Sequence, residues 1–237
     1  MDLKNSDIIY FVKDNPINEE LRYSLRSVEE NFPHRKVWFI GGCPEGLRPD
    51  GRLKVDQKAG SKWENTSLLL QAVCKCQDIS DDYILFNDDF FVMQPVESLP
   101  WYSDGSLERR IEKLKADYPY GSAYLTHLIE TQTMLKAHCM PTINYAVHYP
   151  MPMNKQEMLK TFTEFSFGLM WRSLYGNHHR KLPTYVNDCK VYDFAKSPED
   201  VKADDALYLS TTDTAFNFGR IGTYIKDKFP FRSRFEV

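Results

Sequence analysis

Three short apolar runs, each cut off by polar residues and separated by stretches of helical periodicity, constrain this chain more than any other feature. The first, Asp7-Ile-Ile-Tyr-Phe-Val12, is β-branched and aromatic and stops at Lys13-Asp14-Asn15, the pattern of a strand buried on both faces of a parallel sheet. Pro16 suits the first turn of a helix, and Leu21, Leu25, Val28 and Phe32 follow at helical spacing, so one apolar stripe runs along a helix that Pro33 closes. Lys36-Val-Trp-Phe-Ile40, ending in Gly41-Gly42, completes a strand, helix and strand unit, for which a right-handed crossover is expected.

The same logic continues downstream. Leu68, Leu69, Ala72, Val73 and Cys76 predict a second helix over Asn65 to Gln77. Tyr83-Ile-Leu-Phe86 is the third run, and it halts at Asn87-Asp88-Asp89. In open α/β sheets ligands sit at the carboxyl ends of the strands, which is where this acidic pair falls. Phe90-Phe91-Val92-Met93 is then too apolar for a solvated loop. Beyond Leu99 the pattern weakens, with helices expected over Ser106 to Tyr118 and Lys155 to Phe167. The fold expected is therefore α/β, a Rossmann-type sheet with flanking helices and a mixed, partly helical second half. At 237 residues it fits a single domain, residues 1–98 forming the α/β half and 99–237 the remainder.

Composition narrows the function. Hydrophobic residues at 42% and charged residues at 27% are globular usage, which argues against a disordered chain. A net charge of −3 gives no global positive field, so a nucleic-acid partner would need a local basic patch. Five scattered cysteines, Cys43, Cys74, Cys76, Cys139 and Cys189, lack the spacing of a zinc site and fit reduced thiols in a cytosol. The first residues are polar and no apolar run approaches the roughly 18 residues of a membrane span. A cytoplasmic protein without a classical signal or a membrane span is the expectation.

Six sets of residues can carry chemistry. Asp88 and Asp89, flanked by large apolar side chains, are costly to bury without a cation, and hard carboxylate oxygens favour magnesium or manganese, which in turn bind a diphosphate. A turn whose aspartates cap a helix is the plainer alternative. His148, in Val147-His-Tyr-Pro-Met-Pro152, can serve as a base near neutral pH or, as a cation, hold a phosphate. Arg172, grouped with Asn177, His178 and His179, can grip phosphate oxygens bidentately. Asp213, in Ser210-Thr-Thr-Asp213-Thr, can complete a metal shell or accept a proton. Arg22 and Arg26 lie four apart on one helical face beside the first strand, placed for phosphate or for pairing with Glu29 and Glu30. Lys58, Lys62 and Asn65 precede the second helix, whose amino end suits an anion.

Four blocks of the sequence together resemble the Stealth family of sugar-phosphate transferases of microbial capsule synthesis. They are Glu20-Leu-Arg-Tyr-Ser-Leu-Arg-Ser27, Tyr83-Ile-Leu-Phe-Asn-Asp-Asp-Phe-Phe91, the His148-Tyr-Pro segment and Phe229-Pro-Phe-Arg-Ser-Arg-Phe-Glu236. They occur in the family's order and span nearly the whole chain, although the first strand ends Phe11-Val12-Lys13-Asp14-Asn15 where the family has tryptophan, valine and aspartate. The resemblance implies a fold related to nucleotide-sugar glycosyltransferases of the GT-A type, a UDP-sugar donor, a divalent metal and a hydroxyl acceptor, with a glycan ranked first. A phage-type glycosyltransferase acting on a hydroxymethylated DNA base is an alternative within the same class. A non-catalytic carbohydrate- or nucleic-acid-binding module is the alternative of another class.

Overall fold

The computed structural model describes residues 1–57, 60–118, 120–166 and 168–237. Strand β1 (Asp7–Val12) matches its expected bounds. Helix α1 (Glu19–Asn31) starts later than Pro16 suggested, because Asn18 caps it by accepting a hydrogen bond from the Leu21 amide. Glu19 and Glu20 in its first turn favour the helix dipole. Pro16 lies in the preceding loop, where its carbonyl accepts from the Glu45 amide at 2.8 Å.

Strands β2 (Val37–Gly41) and β3 (Gly51–Leu53) follow. Helix α2 (Lys62–Lys75) begins three residues earlier than expected, since Ser61 and Glu64 form a capping box that sequence periodicity alone did not weigh. Lys62 and Asn65 thus belong to its first turn rather than preceding it, and Lys58 lies outside the described residues. Strand β4 (Asp82–Phe86) leads to β5 (Phe90–Val92) and β6 (Trp101–Ser103). Next come α3 (Leu107–Asp117), capped by Ser106, and α4 (Ala123–Ala137). They are followed by β7 (Met151–Asn154), α5 (Lys155–Glu164) and α6 (Trp171–His178). Helix α5 ends at Glu164, and the expected end at Phe167 lies outside the described residues. The chain closes with β8 (Pro183–Tyr185), β9 (Lys190–Val191), β10 (Tyr208–Thr211), α7 (Asp213–Phe218) and α8 (Arg220–Lys228).

The main sheet runs β3-β2-β1-β4-β7, parallel except for β7, which pairs antiparallel with β4. Period-two alternation sends Ile8, Tyr10 and Val12 to one face, against Leu21, Leu25 and Val28 of α1. Ile9 faces the other way, with Trp38, Tyr83 and Leu85, against Leu69, Leu70 and Val73 of α2. The protein is thus α/β, a mostly parallel sheet with helices on both faces. Burial of Leu25 alone contributes about 2 kcal/mol.

A second sheet, β5-β10-β9, explains the apolar stretch after the acidic pair. Three polar side chains of α1 anchor its edge. Ser24 donates to the Phe90 carbonyl at 2.5 Å, Ser27 accepts from the Val92 amide at 2.9 Å, and Asn31 donates to the Val92 carbonyl at 2.9 Å. The turn Asn87 to Asp89 is therefore held between two sheets that share α1 as a support. No described helix is long and apolar enough to cross a membrane, and all five cysteines are free.

Candidate active site

Parallel strands bring their carboxyl ends to one edge, so Lys13 and Asp14 after β1 and Asn87 and Asp88 after β4 meet there. Gly41, with φ +106°, permits the close approach of β2 to this edge: a Cβ on it would stand 2.5 Å from the Val12 carbonyl oxygen, which accepts from Gln57 at 2.7 Å. A cavity of about 600 Å³ opens at the edge. Lys13, Asn87 and Asp88 line it from the strand ends, Lys62, Trp63 and Asn65 from the first turn of α2, and Arg172 from α6.

Asn18 both caps α1 and donates to the Asp88 carboxylate at 2.8 Å. Burial raises the Asp88 pKa, Asn18 opposes the rise, and the neighbouring Asp89 adds to it. Asp89 is buried. Its Oδ2 accepts from the Lys190 ammonium and from the Ser210 hydroxyl at 3.2 Å, while its Oδ1 has no hydrogen-bond partner among the described residues. The orphaned Asp89 oxygen beside the destabilised Asp88 carboxylate is a surrounding that a hard cation would satisfy. Among the described residues no third His, Cys, Asp or Glu joins them in a metal-binding group. A hard cation held here would draw the rest of its shell from water and substrate phosphates, as magnesium does.

The cations of the cavity, Lys13, Lys62 and Arg172, have no ion-pair partner within 4 Å among the described residues. Burial lowers the Lys62 pKa, and the like charges of Lys13 and Lys190 lower it further. Arg172 donates to the Tyr149 carbonyl at 2.8 Å and to the Asn87 side chain at 3.3 Å, and lies over the Phe90 ring at 5.6 Å. Burial brings its pKa down to about 10, against the pull of Asp89 and Asp188, so it stays a cation at neutral pH.

His148 sits beyond Phe90, edge-on to that ring at 6.4 Å. Its Nδ1 bonds to both Asp188 oxygens, at 2.8 and 3.1 Å, and its backbone amide donates to Asp188 at 3.1 Å. Burial pushes the Asp188 carboxyl up, but the hydrogen bonds and charge of His148 outweigh it and hold the group below its ordinary value. An ionised Asp188 accepts, so Nδ1 carries the proton and Nε2 is the basic nitrogen.

The structure thus gathers Asp88, Arg172, Lys62 and Asn65 at one cavity; Asp89 and His148 do not line it, Asp89 following Asp88 in the turn and His148 lying against the Phe90 ring. Other candidates are placed elsewhere. Arg22 and Arg26 do not line the cavity, because Glu236 takes them both: Arg26 donates to it at 2.7 and 2.8 Å and Arg22 at 3.0 Å. Their partner is neither Glu29 nor Glu30. Asp213, the exposed first residue of α7, stands beside the carboxyl of Glu20, which is pushed up to about 8 by burial, by Asp213 and, opposed by a hydrogen bond from Thr211, by the charge of Asp89. It lines none of the cavity. Asn177 is structural, bonded to both backbone groups of Ile143, while His178 pairs with Glu164 and His179 with the Glu157 carbonyl.

Sequence reading missed Asn18, Lys13, Asp188 and Lys190. Asn18 had a signal, an N-cap residue before Glu19-Glu20. Asp188 and Lys190 had none, since their roles come from partners 40 and 101 residues away.

No family model matches the chain, and no curated protein matches it. Solved structures that are similar include one described as an active-site mutant of LgtC, 12% identical, covering 96% of this chain and 98% of that one with a TM-score of 0.49. The glycosyltransferase GlyE of Streptococcus pneumoniae TIGR4 is 10% identical, with a TM-score of 0.46 over 96% of this chain and 61% of its own. Its apo form gives 0.44 over 96% and 60%. The chain spans about three fifths of the length of GlyE.

Proposed function

We propose that this chain is a metal-dependent transferase that takes a sugar, or a sugar phosphate, from a nucleotide-sugar donor and passes it to a hydroxyl of a glycan acceptor. One observation carries the reading: at the carboxyl ends of parallel strands the buried Asp88 carboxylate shares a single cavity with Lys13, Lys62 and Arg172, which have no ion-pair partner among the described residues, and the adjoining Asp89 keeps one oxygen without a hydrogen-bond partner there. A divalent cation together with a diphosphate satisfies both sets at once. A uridine diphosphate sugar is the donor that the Stealth-like blocks favour.

Asp88 and the free oxygen of Asp89 would hold magnesium or manganese, which supplies positive charge next to the departing nucleotide. Lys13, Lys62 and Arg172 neutralise the phosphate oxygens, where negative charge grows as the bond breaks. The Trp63 and Phe11 rings give the nucleotide an apolar wall and exclude water. His148 Nε2 takes the proton of the acceptor hydroxyl, and Asp188 holds the ring in that tautomer. The new bond forms from the acceptor oxygen, and the electron pair of the broken bond leaves with the nucleotide. Asp213, beside Glu20, is not placed for this proton transfer.

The test is a panel of nucleotide sugars with the product identified by mass spectrometry. Release of nucleoside diphosphate means glycosyl transfer, and release of monophosphate means sugar-phosphate transfer. Asp88→Asn should abolish turnover with the fold intact. Full activity in EDTA would remove the metal from the mechanism, and failure of every nucleotide sugar to bind would remove the function.

A further inference from the structure

Another cavity, of about 360 Å³, is lined by Asp188, the hydrogen-bond partner of His148. Tyr192 lines it too, and its ring meets His148 edge-on at 6.4 Å. Helix α3 forms another wall, with Arg109 and Arg110 from its first turn and Lys113 from its middle.

The Arg110 guanidinium meets Tyr124, Tyr192 and the charge of Asp104, which leaves the wall with a surplus of positive charge. Arg109 and Lys113 have no ion-pair partner among the described residues, and the buried Nε of Arg110 has no hydrogen-bond partner there. The anions of the cavity are already engaged, Asp104 by the Asn144 amide at 2.7 Å and Asp188 by His148. Lys190, which also reaches the cavity, is paired with Asp89. Two arginines near the amino end of a helix also run against its dipole, which adds to their repulsion. An anion bound between them relieves both costs, and arginines suit the planar oxygen geometry of phosphate.

We infer that this cavity is the acceptor subsite and that it takes a sugar carrying a phosphate group, holding the phosphate on Arg109, Arg110 and Lys113 and presenting a hydroxyl toward His148. The inference rests on the transferase reading for the word acceptor, but the anion site stands on its own residues. A larger cavity of about 890 Å³ shares Asp188, Lys190 and Tyr192 with it, so a sugar has room beside the phosphate wall. The net charge of −3 gives no long basic track for a duplex.

The experiment is calorimetric titration of the full chain with glucose 6-phosphate, glucose, a short DNA duplex and, separately, UDP-sugars. Glucose 6-phosphate should bind and glucose should not. Arg109→Gln with Arg110→Gln should weaken glucose 6-phosphate at least tenfold, and Arg110→Lys should fall between that variant and the parent. Arg109→Gln with Lys113→Gln alters only exposed side chains, so it keeps the test open if the first pair fails to fold, and it too should lose about tenfold. The inference is overturned if glucose binds as well as its phosphate, or if folded variants keep the parent affinity. It is also overturned if the duplex binds more tightly than the sugar phosphate and loses its affinity in the same variants. Arginine-dependent binding of glucose 6-phosphate without any binding of UDP-sugars would refute the donor reading alone.

Discussion

Replacing Glu236 by glutamine should destabilise the fold while leaving the donor cavity intact. The side chain is 1% exposed and accepts from Arg26 Nε at 2.7 Å, Arg26 Nη2 at 2.8 Å, Arg22 Nη1 at 3.0 Å and the Ser233 amide at 2.9 Å. Burial alone would raise its pKa, but these hydrogen bonds and the Arg26 charge bring it from 4.5 down to about 2. A fall from 4.5 to about 2 corresponds to about 3.5 kcal/mol, taken as about 3 because the Arg22 partner is a quarter exposed and screened by solvent. Because the folded pKa is depressed, that stability is fully present above pH 4.5 and is lost as pH falls toward 2. Urea denaturation at pH 7 should therefore show Glu236→Gln less stable by about 3 kcal/mol, with a melting temperature lower by roughly 6 to 12 °C for a chain of this size. The gap should close as both proteins are taken toward pH 2. UDP-sugar affinity should not change, since Arg22 and Arg26 lie outside the cavity. A pH 7 difference under about 1 kcal/mol, or a gap that persists unchanged at low pH, would refute the electrostatic account. A loss of donor affinity in the folded variant would refute the placement of the two arginines.

Other consequences follow from the same geometry. His148→Ala should lower kcat by about a hundredfold or more with donor affinity retained, and Asp188→Asn should lower it too by freeing the wrong tautomer, whereas Asp213→Ala should leave kcat within a few fold; steady-state kinetics on the three variants ranks them. Arg172→Lys should recover little of the activity lost in Arg172→Ala, because an ammonium cannot replace the fork that spans the Tyr149 carbonyl and Asn87; equal rescue in a turnover assay would contradict this. Glu20, with its pKa raised to about 8, stabilises the fold fully below pH 4.5 and loses that contribution as pH rises through 8. Glu20→Gln should thus become the more stable protein near pH 9, by about 1 kcal/mol or more, in denaturation curves run from pH 6 to 9.

Two of the four Stealth-like blocks turn out to be partners of each other. Arg22 and Arg26 of the first receive Glu236 of the last, and Arg234 adds contacts to Asp50 and Glu29. This explains why those arginines looked like donor ligands in the sequence: a cationic helix face beside a strand end is drawn the same way whether its anion is a phosphate or a distant glutamate. Weak periodicity hid α4, whose buried Leu125, Leu128, Thr131 and Leu135 share the helix with exposed Ile129.

The sequence by itself determined the elements that depend on neighbours a few residues apart. Apolar runs and their polar stops placed β1, β2 and β4 within a residue of their ends, heptad-like spacing placed the face of α1, and the halt at Asn87-Asp88-Asp89 put the acidic pair at a strand end. Only the tertiary structure decided which charges meet. Asp88 answers to Asn18 across 70 residues, His148 to Asp188 across 40, Asp89 to Lys190 across 101 and Arg26 to Glu236 across 210. Periodicity records which side of an element is dry, because burial repeats with the backbone geometry. A hydrogen bond between side chains from distant elements leaves no such repeat, so the partners of a charge follow from chain crossing and packing rather than from local pattern.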